Sequence, residues 1–301
     1  MKIVAALGGN ALLERGEAPD SDIQEEHVRR AVEALVPLAR QHDLILTHGN
    51  GPQVGLLAME SARDPALARP YPLDLLGAQT QGMIGYWLVQ ALQNAGVGKP
   101  VVCLISRTLV SPEDPAFGRP TKFVGPVYDE EQARQVAAAR SWQVRKDGPA
   151  WRRVVPSPEP AELLELPIIT LLAASGAIVV CAGGGGIPVT VDAAGTLRGA
   201  EAVIDKDLSA ALLARAVDAD VLLLLTDVDA VQDDYGTPQA RPIHRATPGE
   251  LRSRGFPDGS MGPKVEAVCR FVAATGRMAV IGRLADAEAM AEGKAGTVVQ
   301  A

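Results

Sequence analysis

Six short apolar runs punctuate the chain, at residues 2–7, 44–47, 101–105, 177–181, 221–225 and 278–281, and each ends in a glycine-rich or polar turn. Runs of this length without strict alternation read as strands buried on both faces, the pattern of a parallel sheet. Between them, residues 23–40, 77–94, 209–216 and 263–275 carry apolar side chains at helical spacing. Strand and helix alternating in this way predict an α/β fold: a three-layer αβα sandwich with a mainly parallel central sheet.

Residues 112–167 break the rhythm. They are rich in proline and charge, include Trp142 and Trp151, and read Arg145-Lys146-Asp147-Gly148-Pro149 like a hairpin turn. Structureless loops of this length are uncommon in compact domains. The expectation is a small inserted subdomain, built on a two-stranded ribbon and protruding from the main sheet.

Composition narrows the function classes. With 301 residues and 47% hydrophobic content the core is ample, and 4% aromatic content makes it a core of small aliphatic side chains. A net charge of −7 argues against a general nucleic-acid or anionic-membrane binder but leaves room for a local basic cleft. Cys103, Cys181 and Cys269 are far apart in apolar surroundings, as expected of reduced, buried thiols. The first apolar run is too short for a signal segment, and no run reaches about 18 apolar residues, so the expected location is cytoplasmic. The four histidines have no metal-ligand spacing, and no nucleophile signature lies beside them.

The candidate chemistry sits in the turns. Gly8-Gly9-Asn10 and the turn at residues 47–55, with Gly49, Asn50 and Gly51, both follow strands; backbone without Cβ atoms lets N–H groups approach an anion. In open α/β sheets ligands bind beyond the carboxyl ends of the strands, where both turns would meet. Gly183-Gly184-Gly185-Gly186 implies close approach of backbone to something, with a flexible hinge as the alternative. Asp205-Lys206-Asp207 precedes a helix and reads either as a solvated helix start or as a charge stabiliser for a transferring phosphoryl group. Gly259-Ser260-Met261-Gly262-Pro263-Lys264 opens another helix, where first-turn N–H groups are free for phosphate. Only seven of the 29 basic residues are lysine, so a lysine inside such a motif hints that a compact ammonium is required.

Taken together, Ala6-Leu7-Gly8-Gly9-Asn10-Ala11-Leu12 and residues 47–55, 183–189, 204–208 and 259–267 resemble the amino acid kinase superfamily in order and spacing. Arg119-Pro120-Thr121-Lys122-Phe123-Val124-Gly125-Pro126-Val127-Tyr128 and Val154-Val155-Pro156-Ser157-Pro158 resemble its carbamate kinase branch, although Phe123 and Val124 depart from the usual residues beside the lysine. The resemblance implies a reversible transfer, ATP + carbamate to ADP + carbamoyl phosphate, with Mg²⁺, run toward ATP in arginine catabolism. It also implies a homodimer with an eight-stranded sheet. Residues 1–214 would form the substrate and dimerisation lobe, carrying the lid at 112–167, and residues 215–301 the nucleotide lobe.

By the same resemblance Lys122, Lys206, Asp207 and Lys264 would be catalytic. Gly8, Gly9, Asn10, Gly49, Asn50 and Gly51 would surround the small substrate. Gly183, Gly184, Gly185, Thr226, Asp227, Val231, Tyr235, Met261 and Gly262 would lean toward the nucleotide; no residue is assigned as a metal ligand. Another small-acid kinase of the superfamily and a non-catalytic nucleotide sensor are the competing readings.

Overall fold

The computed structural model describes residues 1–14, 17–256 and 261–301, with the side chain of Asn10 outside the description. Eight strands form the central sheet, in the order Arg245–Ala246, Thr297–Val299, Met278–Arg283, Val221–Thr226, Lys2–Leu7, Asp43–His48, Ile178–Val180 and Val101–Cys103. Neighbours run parallel except where Thr297–Val299 lies antiparallel to Met278–Arg283. Because side chains alternate along a strand, odd and even positions serve different faces. Ile3, Ala5 and Leu7 pack under helices Ser21–Gln41 and Leu73–Asn94. Val4 and Ala6 face helices Lys206–Ala216 and Met261–Thr275. The predicted three layers are present.

The helices begin two to four residues before the predicted starts, because a helix starts at its cap and not at its first apolar contact. Asp205 caps Lys206–Ala216, accepting from the N–H groups of Asp207 and Leu208. Helix Gly51–Arg63 is among those the pattern missed: Gly51, Pro52 and Gly55 read as a turn, yet Pro52 is at home in a first helical turn.

The insertion leaves the body after strand Arg107–Leu109 and returns at Glu162–Leu163, and these two strands pair antiparallel, so both roots of the lid share one small sheet. The lid itself is larger than a ribbon. Gln143–Asp147 and Ala150–Val155 form the expected hairpin, with Gly148 at φ +65° in its turn. A third strand, Lys122–Tyr128, adds along Ala150–Val155 with a break in register between Val124 and Tyr128. Helix Glu130–Arg140, held by a capping box at Asp129, packs behind. Gly125 and Pro126 hid that third strand from the pattern. Among the described residues no helix is long and apolar enough to cross a membrane.

Candidate active site

Sheet register builds the site. Leu7 stands opposite both His48 and Leu225, so three strands end level and release Gly8, Gly49 and Thr226 side by side. Gly8 N–H donates to the Leu225 carbonyl and Gly49 N–H to that of Leu7, each at 3.0 Å. These two amides are spent on extending the sheet, which corrects the expectation that they face an anion. Their glycines serve close packing instead: a Cβ at Gly8 would lie 3.1 Å from the Leu225 oxygen, and one at Gly49 3.0 Å from the nitrogen of Gly9 and 3.5 Å from Lys206 Cε.

The four-glycine run is likewise a packing junction. A Cβ at Gly183 would meet the His48 ring at 2.3 Å, at Gly184 the Asn50 amide at 2.2 Å, at Gly185 the Ile204 carbonyl at 2.7 Å, and at Gly186 the Thr108 hydroxyl at 1.9 Å. Gly184, Gly185 and Gly186 also hold φ of +65°, +92° and +90°, which L side chains rarely adopt. The Gly185 carbonyl accepts from the hydroxyls of Thr108 and Ser209. Close approach is therefore real, but the partner is protein. Burial pulls the His48 imidazole down to about 4, so the ring is neutral at pH 7, with Nδ1 2.9 Å from the Gly49 carbonyl.

At the mouth of these turns lie the charged residues. Capping by Asp205 places Lys206 and Asp207 in the first helical turn. Asp207 accepts from Lys206 Nζ at 2.5 Å and from Lys264 Nζ at 3.0 Å, while Lys122 reaches in from the lid to Asp205 at 2.7 Å. Burial alone would raise the Asp207 carboxyl; the two ammonium groups outweigh it and hold the acid well below the usual carboxylate range. Burial, with repulsion from Lys264, pulls Lys206 below an ordinary lysine in spite of Asp207. Lys264 is also penalised by burial, yet Asp207 lifts it above the ordinary value. Two buried cations on one carboxylate leave a local positive excess in an otherwise acidic protein.

A cavity of about 880 Å³ opens over this cluster, lined by Gly9, Gly49, Asn50, Gly51, Gly184 and Gly262 as well as Lys122, Lys206, Asp207 and Lys264. A second cavity, about 980 Å³, holds Thr226, Asp227, Tyr235, Met261 and Phe256. Lys264 and Phe256 border both, so the cavities meet at the Lys264 ammonium. A smaller space of about 490 Å³ on the far side of Gly8 and Gly9 also reaches Lys264.

Among the described residues the sequence-derived ones are thus brought together with two departures. Gly183 and Gly185 are buried behind Gly184, which lines the first cavity beside Asn50 and not the second beside Tyr235. Val231 is fully buried in the core and lines neither cavity; its N–H donates to Thr297 Oγ1. Gly259 and Ser260 lie outside the described residues, as does the Asn10 side chain. Asp205, Phe256 and Arg152 all line the first cavity, yet Asp205 was singled out only within its motif and the other two were passed over. Asp205 carried a signal, being the residue before a helix, whereas Phe256 and Arg152 reach the site only through tertiary folding.

No group of three or more His, Cys, Asp or Glu side chains converges on a metal position among the described residues, and both Asp207 oxygens already accept from lysines. The residues present suit Mg²⁺ that arrives on nucleotide phosphates, since that ion commonly keeps waters and phosphates with one or two carboxylates.

The sequence pattern of the amino acid kinase family matches residues 1–282. A carbamate kinase of Rhizobium meliloti (strain 1021) is 50% identical over 303 residues, covering 99% of this chain and 93% of the relative. The solved structure of a carbamate kinase from Giardia lamblia bound to citric acid superposes with a TM-score of 0.93 at 37% identity, covering 99% of this chain and 97% of that one. Another from Giardia lamblia, bound to AMP-PNP, gives 0.89 at 38% identity with 99% and 98% coverage.

Proposed function

The chain belongs to the amino acid kinase family, and we propose that it is a carbamate kinase, transferring a phosphoryl group between ATP and carbamate. The observation that carries this reading is the meeting of two cavities at Lys264, with Lys206 and Asp207 beside it and a lid lysine, Lys122, above. The larger cavity, with Tyr235 and Met261, takes the nucleotide; the phosphate chain points to the junction; the cavity under the lid takes the small acid.

In-line transfer needs placement and charge stabilisation more than a base. In the ATP-consuming direction an anionic carbamate oxygen bonds to the γ-phosphorus, the bond to the bridging oxygen breaks, and its electron pair stays on ADP. The reverse transfer gives ATP and carbamate. Lys206 and Lys264 meet the charge spreading over the equatorial oxygens, and Asp207 keeps both ammonium groups in place. Bound with the nucleotide, Mg²⁺ would neutralise charge on its phosphates. Neutral, buried His48 packs the glycine turns and moves no proton.

Carbamoyl phosphate is a mixed anhydride, and released carbamate breaks down to ammonia and CO₂, so we place net flux toward ATP, as in arginine catabolism. Three free cysteines suit a cytoplasmic setting. Wild-type protein is expected to form ATP from ADP and carbamoyl phosphate in a coupled assay, and to stop when Mg²⁺ is chelated. No ATP formation would end the carbamate reading. Lys122→Ala should lower that rate about 10²-fold, the scale of one lost oxyanion donor, with ADP affinity changed less than about twofold. Undiminished turnover would point to a different small acid.

A homodimer completes the proposal. Support comes from the outward stripe of helix Leu73–Asn94, where Leu75 and Tyr86 are exposed, and from exposed Ile105, Ile168 and Leu171 near the last strand of the sheet. Scattered exposed apolar residues are ordinary, but several about one sheet edge mark an interface. Light scattering should give about twice the 31.5 kDa chain mass. Tyr86→Asp with Leu171→Asp should give one chain mass, and an unchanged mass would place the interface elsewhere.

A further inference from the structure

The lid meets the body backbone to backbone. In helix Gly51–Arg63, a Cβ built on Gly55 would lie 1.9 Å from Cα and 2.1 Å from N of Gly125, on lid strand Lys122–Tyr128. Main-chain atoms cannot swing aside as the end of a long side chain can. Gly125 itself sits at φ +74°, so both sides of the contact depend on glycine. An apolar seat of Val54, Ala58, Val124, Val155 and Val203 closes around the pair, and the Tyr128 hydroxyl donates to Met59 Sδ at 3.4 Å.

This seat is wired to the site through short lengths of chain. Asn50 and Gly51 begin the helix one turn before Gly55, and both line the transfer cavity. Lys122 begins the lid strand three residues before Gly125 and stands opposite Val155 in the ladder. Val203 is two residues from Asp205, the carboxylate that Lys122 pairs with. A movement of the lid at Gly125 is therefore a movement of the Lys122 ammonium relative to Lys206 and Lys264.

We propose that the Gly55–Gly125 contact is a positioning element that sets how closely the lid approaches, and thereby places Lys122 on the anion being transferred. The inference rests on the carbamate kinase reading. A methyl group at position 55 must open the contact by about 1.5 Å to reach an ordinary separation of 3.4 Å. Alanine forms helix better than glycine, so the helix keeps its shape and the displacement falls on the lid. Misplacing a reacting group by about 1 Å can cost about 10²-fold in rate.

The test is a double-mutant cycle on the full chain, with wild type, Gly55→Ala, Lys122→Ala and the double variant assayed for ATP formation. Gly55→Ala is expected to lower kcat about tenfold or more, to leave the ADP Kd within about twofold, and to cost less than about twofold when Lys122 is already alanine. Equal losses in both backgrounds would mean that Gly55 acts otherwise than through Lys122, and full activity of Gly55→Ala would also overturn the proposal. Where Gly55→Ala fails to fold, Val155→Ala thins the same seat without adding an atom and is read in the same cycle. Hydrogen exchange gives a readout apart from turnover: amides of Lys122–Tyr128 should exchange about tenfold faster in the seat variant. Unchanged exchange overturns the seat, whereas an inactive wild type with accelerated exchange in the variant overturns the reaction and leaves the seat standing.

Discussion

Lys206→Ala is expected to lower ATP formation from ADP and carbamoyl phosphate by about 10³-fold or more, the scale on which cationic stabilisers of phosphoryl transfer act. Three features set that expectation. The Lys206 ammonium stands in the first turn of its helix, where the helix dipole adds to its charge. It is almost fully buried, so little water screens it from a bound phosphoryl group. The ammonium is already bonded to Asp207 at 2.5 Å, so the side chain has little freedom to lose on binding. The ADP Kd should move by less than about threefold, because the cavity proposed for the nucleotide is lined by Tyr235, Met261 and Phe256 and not by Lys206. Asp207 keeps Lys264 as a partner when Lys206 is removed, so its buried charge is not left unpaired in the variant. Single-turnover kinetics with titrated ADP separate the two effects. A loss confined to KM would assign Lys206 to ground-state binding and sink its role in the transfer step.

Much of this architecture was legible because local rules and global fold agree in it. Unbroken apolar runs marked the central strands, and turns after residues 7, 48 and 226 marked the edge where the site forms. Where reading failed, one residue type was serving two ends. Gly55 looked like part of a turn, but it lies inside a helix, and the backbone of Gly125 comes too close there to leave room for a Cβ. Glycines at 183–186 correctly announced close approach, and nothing in their order says that the approaching groups are His48, Asn50, Ile204 and Thr108. Asp205 was visible as a helix start, while its pairing with Lys122 spans 83 residues and depends on how the lid is seated. Val231 shows the opposite failure: its place in a motif drew it toward the nucleotide, and packing put it in the core.

Asp207→Asn is expected to cost more in stability than any other single change at the site, about 3–5 kcal/mol at neutral pH, because it leaves buried charge uncompensated. The variant would also lose turnover, since the two ammonium groups would no longer be held. The sign of its pH dependence is the sharper test. In the wild type the folded pKa of Asp207 lies below its ordinary value. Its contribution is therefore complete above the unfolded pKa of about 4 and is lost as pH falls through the folded value. Asparagine has no such titration. What replaces it is the titration of the lysines: burial and Lys264 already pull Lys206 down against the attraction of Asp207, and without that attraction the pKa falls further. Over the range where Lys206 has shed its proton in the folded state and kept it in the unfolded one, the unfolded state binds more protons and stability rises with pH. Urea unfolding midpoints for Asp207→Asn should accordingly climb as pH rises from neutral toward the ordinary lysine value, closing part of the gap to wild type. A variant whose deficit stays constant over that range, or falls below about 1 kcal/mol, would mean that Lys206 and Lys264 find water or each other's distance without Asp207, and that the carboxylate is not what holds the two cations at the junction of the cavities.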